Sequence, residues 1–246
     1  MLSADDLSAY RRDGFVIARG VLSGAEVAAL HREAARLWRE AEGDPTRPGV
    51  HWRKHETLGR VPDRLDPVRT ISEPYAAVAR DARMMGLAAD ALGARSALFK
   101  DKLIMKPPGV FGYGLHHDYA YWADLGAAAD EFVTLFLALD PSDAASGALE
   151  LFPGLHRRTL PPHPDDPLDI DPAAVEGERS VMPTLAAGDV LLFHGLVPHR
   201  SAPNRSEHSR RVYIVTYMHE RHAGRIDGDD AERRKVVYRA LARDNV

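Results

Sequence analysis

Cysteine is absent from this 246-residue chain, so neither a disulfide nor a thiolate metal site can belong to its chemistry. No run of about 18 apolar residues occurs, which removes a membrane-spanning helix from the expected elements. Basic residues are interspersed with acids, and the formal net charge is −4, so no surface that tracks a phosphate backbone is expected. The opening Met1-Leu2-Ser3-Ala4-Asp5-Asp6 has neither the basic nor the apolar region of a secretory signal. Internal repeats are lacking, as is a linker with a composition shift on both sides. The expectation is a cytoplasmic protein, monomeric or homodimeric, that acts on a small molecule and uses neither nucleic acid nor membrane.

What is present suits one substantial domain with a sizeable core, since 45% of the residues are apolar. Ser3 with Asp6 predicts a short helix to about Arg12, and Phe15–Ala18 a short strand. Ser23-Gly24-Ala25-Glu26 is a second capping box, opening a helix with Val27, Leu30, Ala34 and Leu37 on one face. Residues 44–67, rich in Pro, Arg and His, read as an irregular connection, and a helix follows from Tyr75 to Leu92. Beyond Ala94 short strands alternate with Gly/Pro punctuation: Ala97–Lys106, Leu115–Tyr121, Val133–Leu139, Leu149–Phe152, Val190–Phe193 and Val212–Met218. The acidic, proline-rich stretch Pro161–Glu178 reads as a mobile cover, and 229–243 as a final amphipathic helix. The division expected is a helical part over about 1–93, a β core over about 94–220 and that last helix.

Within the β-rich part, His116 and Asp118 stand two apart, and on a strand such residues share a face. His117 between them points the other way. Tyr113, Tyr119, Tyr121 and Trp122 surround the triplet, and a polar pair in an aromatic stretch suggests the floor of a pocket, with the last three as candidate substrate contacts. Two histidines and a carboxylate are the facial ligand set of non-haem Fe(II) oxygenases. A second histidine must come from another strand, and His194 and His199, both after the buried run Val190–Phe193, compete for the place. Arg210 and Arg211 compete as a cationic anchor; they open the next strand on opposite faces, both faces apolar, so alternation does not choose.

Several motifs in register resemble the phytanoyl-CoA dioxygenase family: His116-His117-Asp118, Ser146-Gly147-Ala148-Leu149-Glu150, Phe152-Pro153-Gly154-Leu155-His156, Gly188–Phe193, and His199–Ser206 followed by Arg210. Arg12–Val16 and Gly20–Ser23 match that family's opening, so the resemblance runs from Leu7 to Tyr217. It implies a mainly β fold with flanking helices, a double-stranded β-helix (jelly roll, cupin-like), using Fe(II), 2-oxoglutarate and O2. Carried over by position, it puts the metal on His116, Asp118 and His199, and the distal carboxylate of 2-oxoglutarate on Arg210 with Ser201 beside it. Lys102, Thr134 and Phe136 fall along the co-substrate cavity, and His194 and Arg211 are left with structural roles. Two positions depart from the pattern: His117 stands where Gln is common, and Leu155 where a serine is common.

The activity implied is oxidation of a substrate C–H bond, with hydroxylation as the usual outcome and desaturation, epimerisation or ring closure from the same oxidant. Asp118 argues against halogenation, because related halogenases carry a small residue there. A Zn-dependent hydrolase would use the same three ligands, and a binding protein on this fold would need no turnover; the arginine anchor argues against both. The scarcity of clustered basic residues points to a free small metabolite as substrate, not an acyl-CoA.

Overall fold

Ser3 and Ser23 each accept the backbone N–H three residues on, and the carboxylates of Asp6 and Glu26 return the bond. These capping boxes start α1 (Ala4–Asp13) and α2 (Gly24–Gly43) where the sequence predicts them. In α2 the residues Val27, Leu30, Ala34, Leu37 and Ala41 form one buried stripe. Gly14 closes α1 in the left-handed conformation (φ +86°), where a Cβ would lie 2.5 Å from His156 and Val197. The computed structural model describes residues 1–44 and 46–226, so the helix expected at 229–243 lies outside the described residues.

Three expectations about secondary-structure elements change. The stretch read as irregular between 44 and 67 contains an antiparallel hairpin, β2 (Val50–His55) and β3 (Gly59–Leu65). Its alternation was hidden because inward-facing positions carry Arg53 and Arg64, which line a cavity. The helix expected over 75–92 is two, α3 (Glu73–Ala79) and α4 (Ala82–Leu92), separated where Asp81 caps the second by accepting the Arg83 N–H at 2.7 Å. The strand expected over 115–121 ends early: β5 is Tyr113–His116, and Asp118–Tyr121 is a 3-10 turn that His117 caps by accepting the Ala120 N–H at 3.0 Å.

The remaining strands are β1 (Phe15–Ala18), β4 (Ser96–Ile104), β6 (Phe132–Ala138), β7 (Leu149–Leu151), β8 (Val190–His194), β9 (His199–Ser201) and β10 (Val212–His219). Seven pair antiparallel in the order β1-β8-β6-β10-β4-β3-β2, and three in the order β5-β9-β7. Together they form a double-stranded β-helix, the cupin-like jelly roll. The large sheet carries apolar clusters on both faces. Leu135, Leu137, Leu192, Tyr213 and Val215 pack against the helices, and Phe136, Leu191, Phe193 and Ile214 pack toward Leu151 and Val197 on the other side.

Register on that second face positions the site. Lys102, Ile214, Phe136 and Leu191 lie side by side across four strands, and Lys100, Thr216, Thr134 and Phe193 form the neighbouring row. A slip of one residue would drive both lysines into the helix-packed core, so burial on two faces fixes the register. The stretch 161–178 is anchored, not loose: Ile170 and Val175 are buried with Leu115 and Phe152, and the Ile170 N–H donates to the Leu115 carbonyl at 2.8 Å. Among the described residues no helix is long and apolar enough to cross a membrane.

Candidate active site

One potential ligand atom from each of His116, Asp118 and His199 lies within 4.8 Å of the others, and among the described residues no other such His/Cys/Asp/Glu group forms. β5 and β9 are hydrogen-bonded neighbours with His116 opposite His199, which brings the two imidazoles to 4.3 Å between ring centres. Each ring is aimed by its own strand. His116 Nδ1 lies 2.8 Å from the Gly114 carbonyl and His199 Nδ1 2.9 Å from the Val197 carbonyl. A carbonyl only accepts, so both Nδ1 atoms carry the proton and both Nε2 atoms present lone pairs. Asp118 comes from the 3-10 turn and not from the strand, so it converges by a different route from the one the spacing suggests. Its Oδ2 accepts the Thr134 hydroxyl at 2.8 Å.

The electrostatics suit the same use. Burial, reinforced by His199, pushes the His116 imidazolium down, and burial does the same to His199, so both rings are neutral. Burial acts to raise the Asp118 carboxyl, but the neighbouring Lys102 charge, helped by the Thr134 hydrogen bond, opposes it, and the group is held below its usual range. Two neutral imidazoles and one carboxylate stand ready without proton loss.

Beside this cluster Ile104, Phe136, Leu149, Phe193 and Ile214 enclose an apolar pocket that ends on Arg210. Arg210 is 1% exposed, and its Nε and Nη1 have no hydrogen-bond partner among the described residues. Burial lowers this guanidinium to about 10, so it stays charged at neutral pH. A buried cation with two unmatched donors calls for an anion of matching geometry. Ser201 adjoins it. Its Oγ accepts the Tyr113 N–H and a Lys106 Nζ proton, each at 3.2 Å, which leaves its own proton to donate elsewhere. Gly112 permits this closeness, since a Cβ there would fall 1.7 Å from the Ser201 carbonyl oxygen.

The two open choices separate by sheet face. Arg210 lies on the face of Val212 and Ile214, whereas Arg211 turns toward Asp140 and grips it with two bonds of 2.7 and 2.8 Å. His194 lies off the cluster, its Nδ1 accepting the Leu196 N–H at 3.1 Å and its ring 5.3 Å from that of His156. Lys102 and Phe136 line the pocket, and Thr134 is turned to Asp118. Tyr121 and Trp122 line the larger cavity in front of the ligands. Tyr119 packs against Phe132 and donates its hydroxyl to Ala127, away from that cavity. Sequence reasoning missed Lys106, which is fully buried and donates to Gly147 and Ala202 as well as Ser201. A lysine before two prolines carries no signal of such a role. Also missed were Arg53, Arg64, Lys100 and Asp169 on the larger cavity.

A jelly roll with a facial triad and a buried arginine beside it defines the class of non-haem iron oxygenases. The pattern of the phytanoyl-CoA dioxygenase (PhyH) family matches residues 10–212. A 2-aminoethylphosphonate dioxygenase from an uncultured bacterium is 26% identical over 216 residues, covering 85% of this chain and 78% of that protein. An ectoine dioxygenase from Halomonas elongata is 30% identical over 236 residues, covering 88% of this chain and 70% of that protein. Among solved structures, the epimerase SnoN in complex with Fe3+, alpha ketoglutarate and nogalamycin RO superposes with a TM-score of 0.73 at 25% identity, covering 87% of this chain and 82% of the other. The chain belongs to the phytanoyl-CoA dioxygenase family, and it is a 2-oxoglutarate-dependent non-haem iron dioxygenase.

Proposed function

We propose that this enzyme hydroxylates a C–H bond of a small-molecule metabolite, with Fe(II) on His116, Asp118 and His199 and 2-oxoglutarate in the pocket that ends on Arg210. The observation that carries the reading is the pairing of three converging ligand atoms with a buried guanidinium whose Nε and Nη1 lack partners among the described residues. Iron, 2-oxoglutarate and O2 together supply an oxidant, with succinate and CO2 as co-products. The chain's own residues bind and orient. Arg210 offers a planar fork to the distal carboxylate, and Ser201 donates its remaining proton there. Lys102, lowered to about 8 by burial and still cationic at neutral pH, lines both cavities between Asp118 and the co-substrate. Phe136, Phe193 and Ile214 keep water from the reacting region. A Zn hydrolase would leave Arg210 without a task. The same reading places the enzyme in the cytoplasm as a monomer or homodimer that does not act on nucleic acid.

The likeness to an epimerase favours a second outcome from the same oxidant, rearrangement without oxygen insertion. A substrate screen that follows succinate and product mass separates them. Hydroxylation adds one oxygen, ring closure or desaturation removes two hydrogens, and epimerisation leaves the mass unchanged. Absence of iron- and 2-oxoglutarate-dependent succinate would overturn the proposal as a whole.

The Thr134 hydroxyl supplies a test inside the site. Thr134→Val keeps the volume and deletes the bond to Asp118 Oδ2. Outer partners of this kind are worth about 10–100-fold in metal affinity, so the iron constant should weaken within that range while the protein stays folded. Iron titration of an otherwise unaltered fold checks it, and wild-type affinity would show that Thr134 does not orient Asp118.

A further inference from the structure

The larger cavity, about 280 Å³, opens in front of the metal-ligand cluster. Tyr113, Tyr121 and Trp122 line it, without Tyr119, but charged side chains share the wall with these rings. The fold gathers Arg53 from β2, Arg64 from β3, and Lys100 and Lys102 from β4, residues far apart or unremarkable in the sequence. Carboxylates face the same space: Asp66, Asp118 and Asp169. Four cations and three carboxylates line the space, and Asp63 behind Arg53 brings the two signs level, so the question is which cation stands without a partner.

Pairing and position within the wall single out one cation. Arg53 Nε lies 3.3 Å from Asp63, and its guanidinium stacks 3.7 Å over the Tyr113 ring. Arg64 Nε approaches Asp66 at 4.0 Å. Lys102 is likewise outside any ion pair or hydrogen bond among the described residues, but it lines the co-substrate pocket as well and feels the charge of Asp118. Lys100 has neither an ion-pair nor a hydrogen-bond partner among the described residues, although it lines the cavity beside the buried Thr216 hydroxyl. An ammonium beside a half-enclosed cavity with no internal partner is a place for an external anion.

We infer that Lys100 is the specificity-determining residue of this site and that the substrate is a compact molecule whose oxyanion group, carboxylate or phosphonate, Lys100 receives. The inference rests on the oxygenase reading and names the substrate class for it. Lys100 and Lys102 are two residues apart on β4, about 7 Å along the strand. An acid held by Lys100 thus leaves room for a few bonds between it and the carbon beside the metal ligands. Asp66 and Asp169 oppose a polyanion such as a nucleotide-bearing thioester. The scattered positions of these charges explain why no basic cluster was visible in the sequence, and the cavity they make still favours a small free acid.

The test is ligand-observed NMR on anaerobic protein loaded with Fe(II) and 2-oxoglutarate. Its probes are two- to five-carbon amino acids and aminoalkylphosphonates, each paired with its neutral amide or ester. In the wild type at least one acid should bind about tenfold or more tightly than its neutral partner. Lys100→Gln should abolish that preference and Lys100→Arg should retain it. The carboxylate and phosphonate arms tell which acid the site prefers. If no acid out-binds its neutral partner, or if the preference survives in Lys100→Gln, the inference is wrong. Iron content and 2-oxoglutarate binding, measured on the same wild-type samples without probe, report on the oxygenase reading alone, so the two failures are distinguishable.

Discussion

His199→Ala should leave the protein without iron and without turnover, whereas His194→Ala should keep one iron per chain. The two histidines follow the same buried strand and differ only in where their rings are sent. His199 is 4% exposed, its Nδ1 is spent on the Val197 carbonyl, and its Nε2 faces His116 and Asp118. His194 has its Nδ1 engaged by the Leu196 N–H and its ring against His156. Burial and His156 push the His194 imidazolium down to about 4, so this ring is neutral and serves packing. Losing an outer partner of a metal ligand costs about 10–100-fold in affinity, so losing the ligand itself should exceed that. Iron content after anaerobic reconstitution, with succinate formation, is the measurement. His199→Gln provides a variant of similar size in case the alanine destabilises the fold. Retention of iron by both His199 variants, with loss in His194→Ala, would reverse the assignment.

How the site could be read beforehand follows from how its parts are encoded. His116 and Asp118 were legible because they are close in sequence, although Asp118 reaches the cluster from a 3-10 turn and not from the strand. Arg210 and Arg211 were not separable by alternation, since the strand they open is buried on both faces, one by helices and one by the smaller sheet. Only the family's motif order chose between them, and the structure supplies the reason in the bidentate grip of Arg211 on Asp140. The β2–β3 hairpin was illegible because Arg53 and Arg64 occupy inward positions where a core strand would carry apolar residues. Charge that is functional erases the pattern by which strands are recognised. Tyr119 failed as a substrate contact for a related reason: the 3-10 turn sends it to Phe132 and leaves Tyr121 and Trp122 at the cavity.

Arg210→Met should raise the apparent 2-oxoglutarate constant by about 30-fold or more with iron still bound. Truncating one partner of a buried, hydrogen-bonded charge pair costs about 2 kcal/mol or more, and Arg210 is fully enclosed. Arg210→Lys should not restore affinity, because an ammonium cannot reproduce the fork. Arg211→Ala should lower stability by releasing Asp140, with no change in the 2-oxoglutarate constant. Thermal unfolding adds a readout independent of turnover. Without co-substrate, wild-type protein buries a cation whose Nε and Nη1 have no partner among the described residues, a cost that methionine removes. Apo Arg210→Met should therefore melt no lower than apo wild type. Adding 2-oxoglutarate at a hundredfold excess over its dissociation constant should stabilise the wild type by about 2.7 kcal/mol, and the same concentration should do far less for the variant. A variant that keeps the full shift would move the distal carboxylate away from Arg210 and leave its buried guanidinium without a ligand.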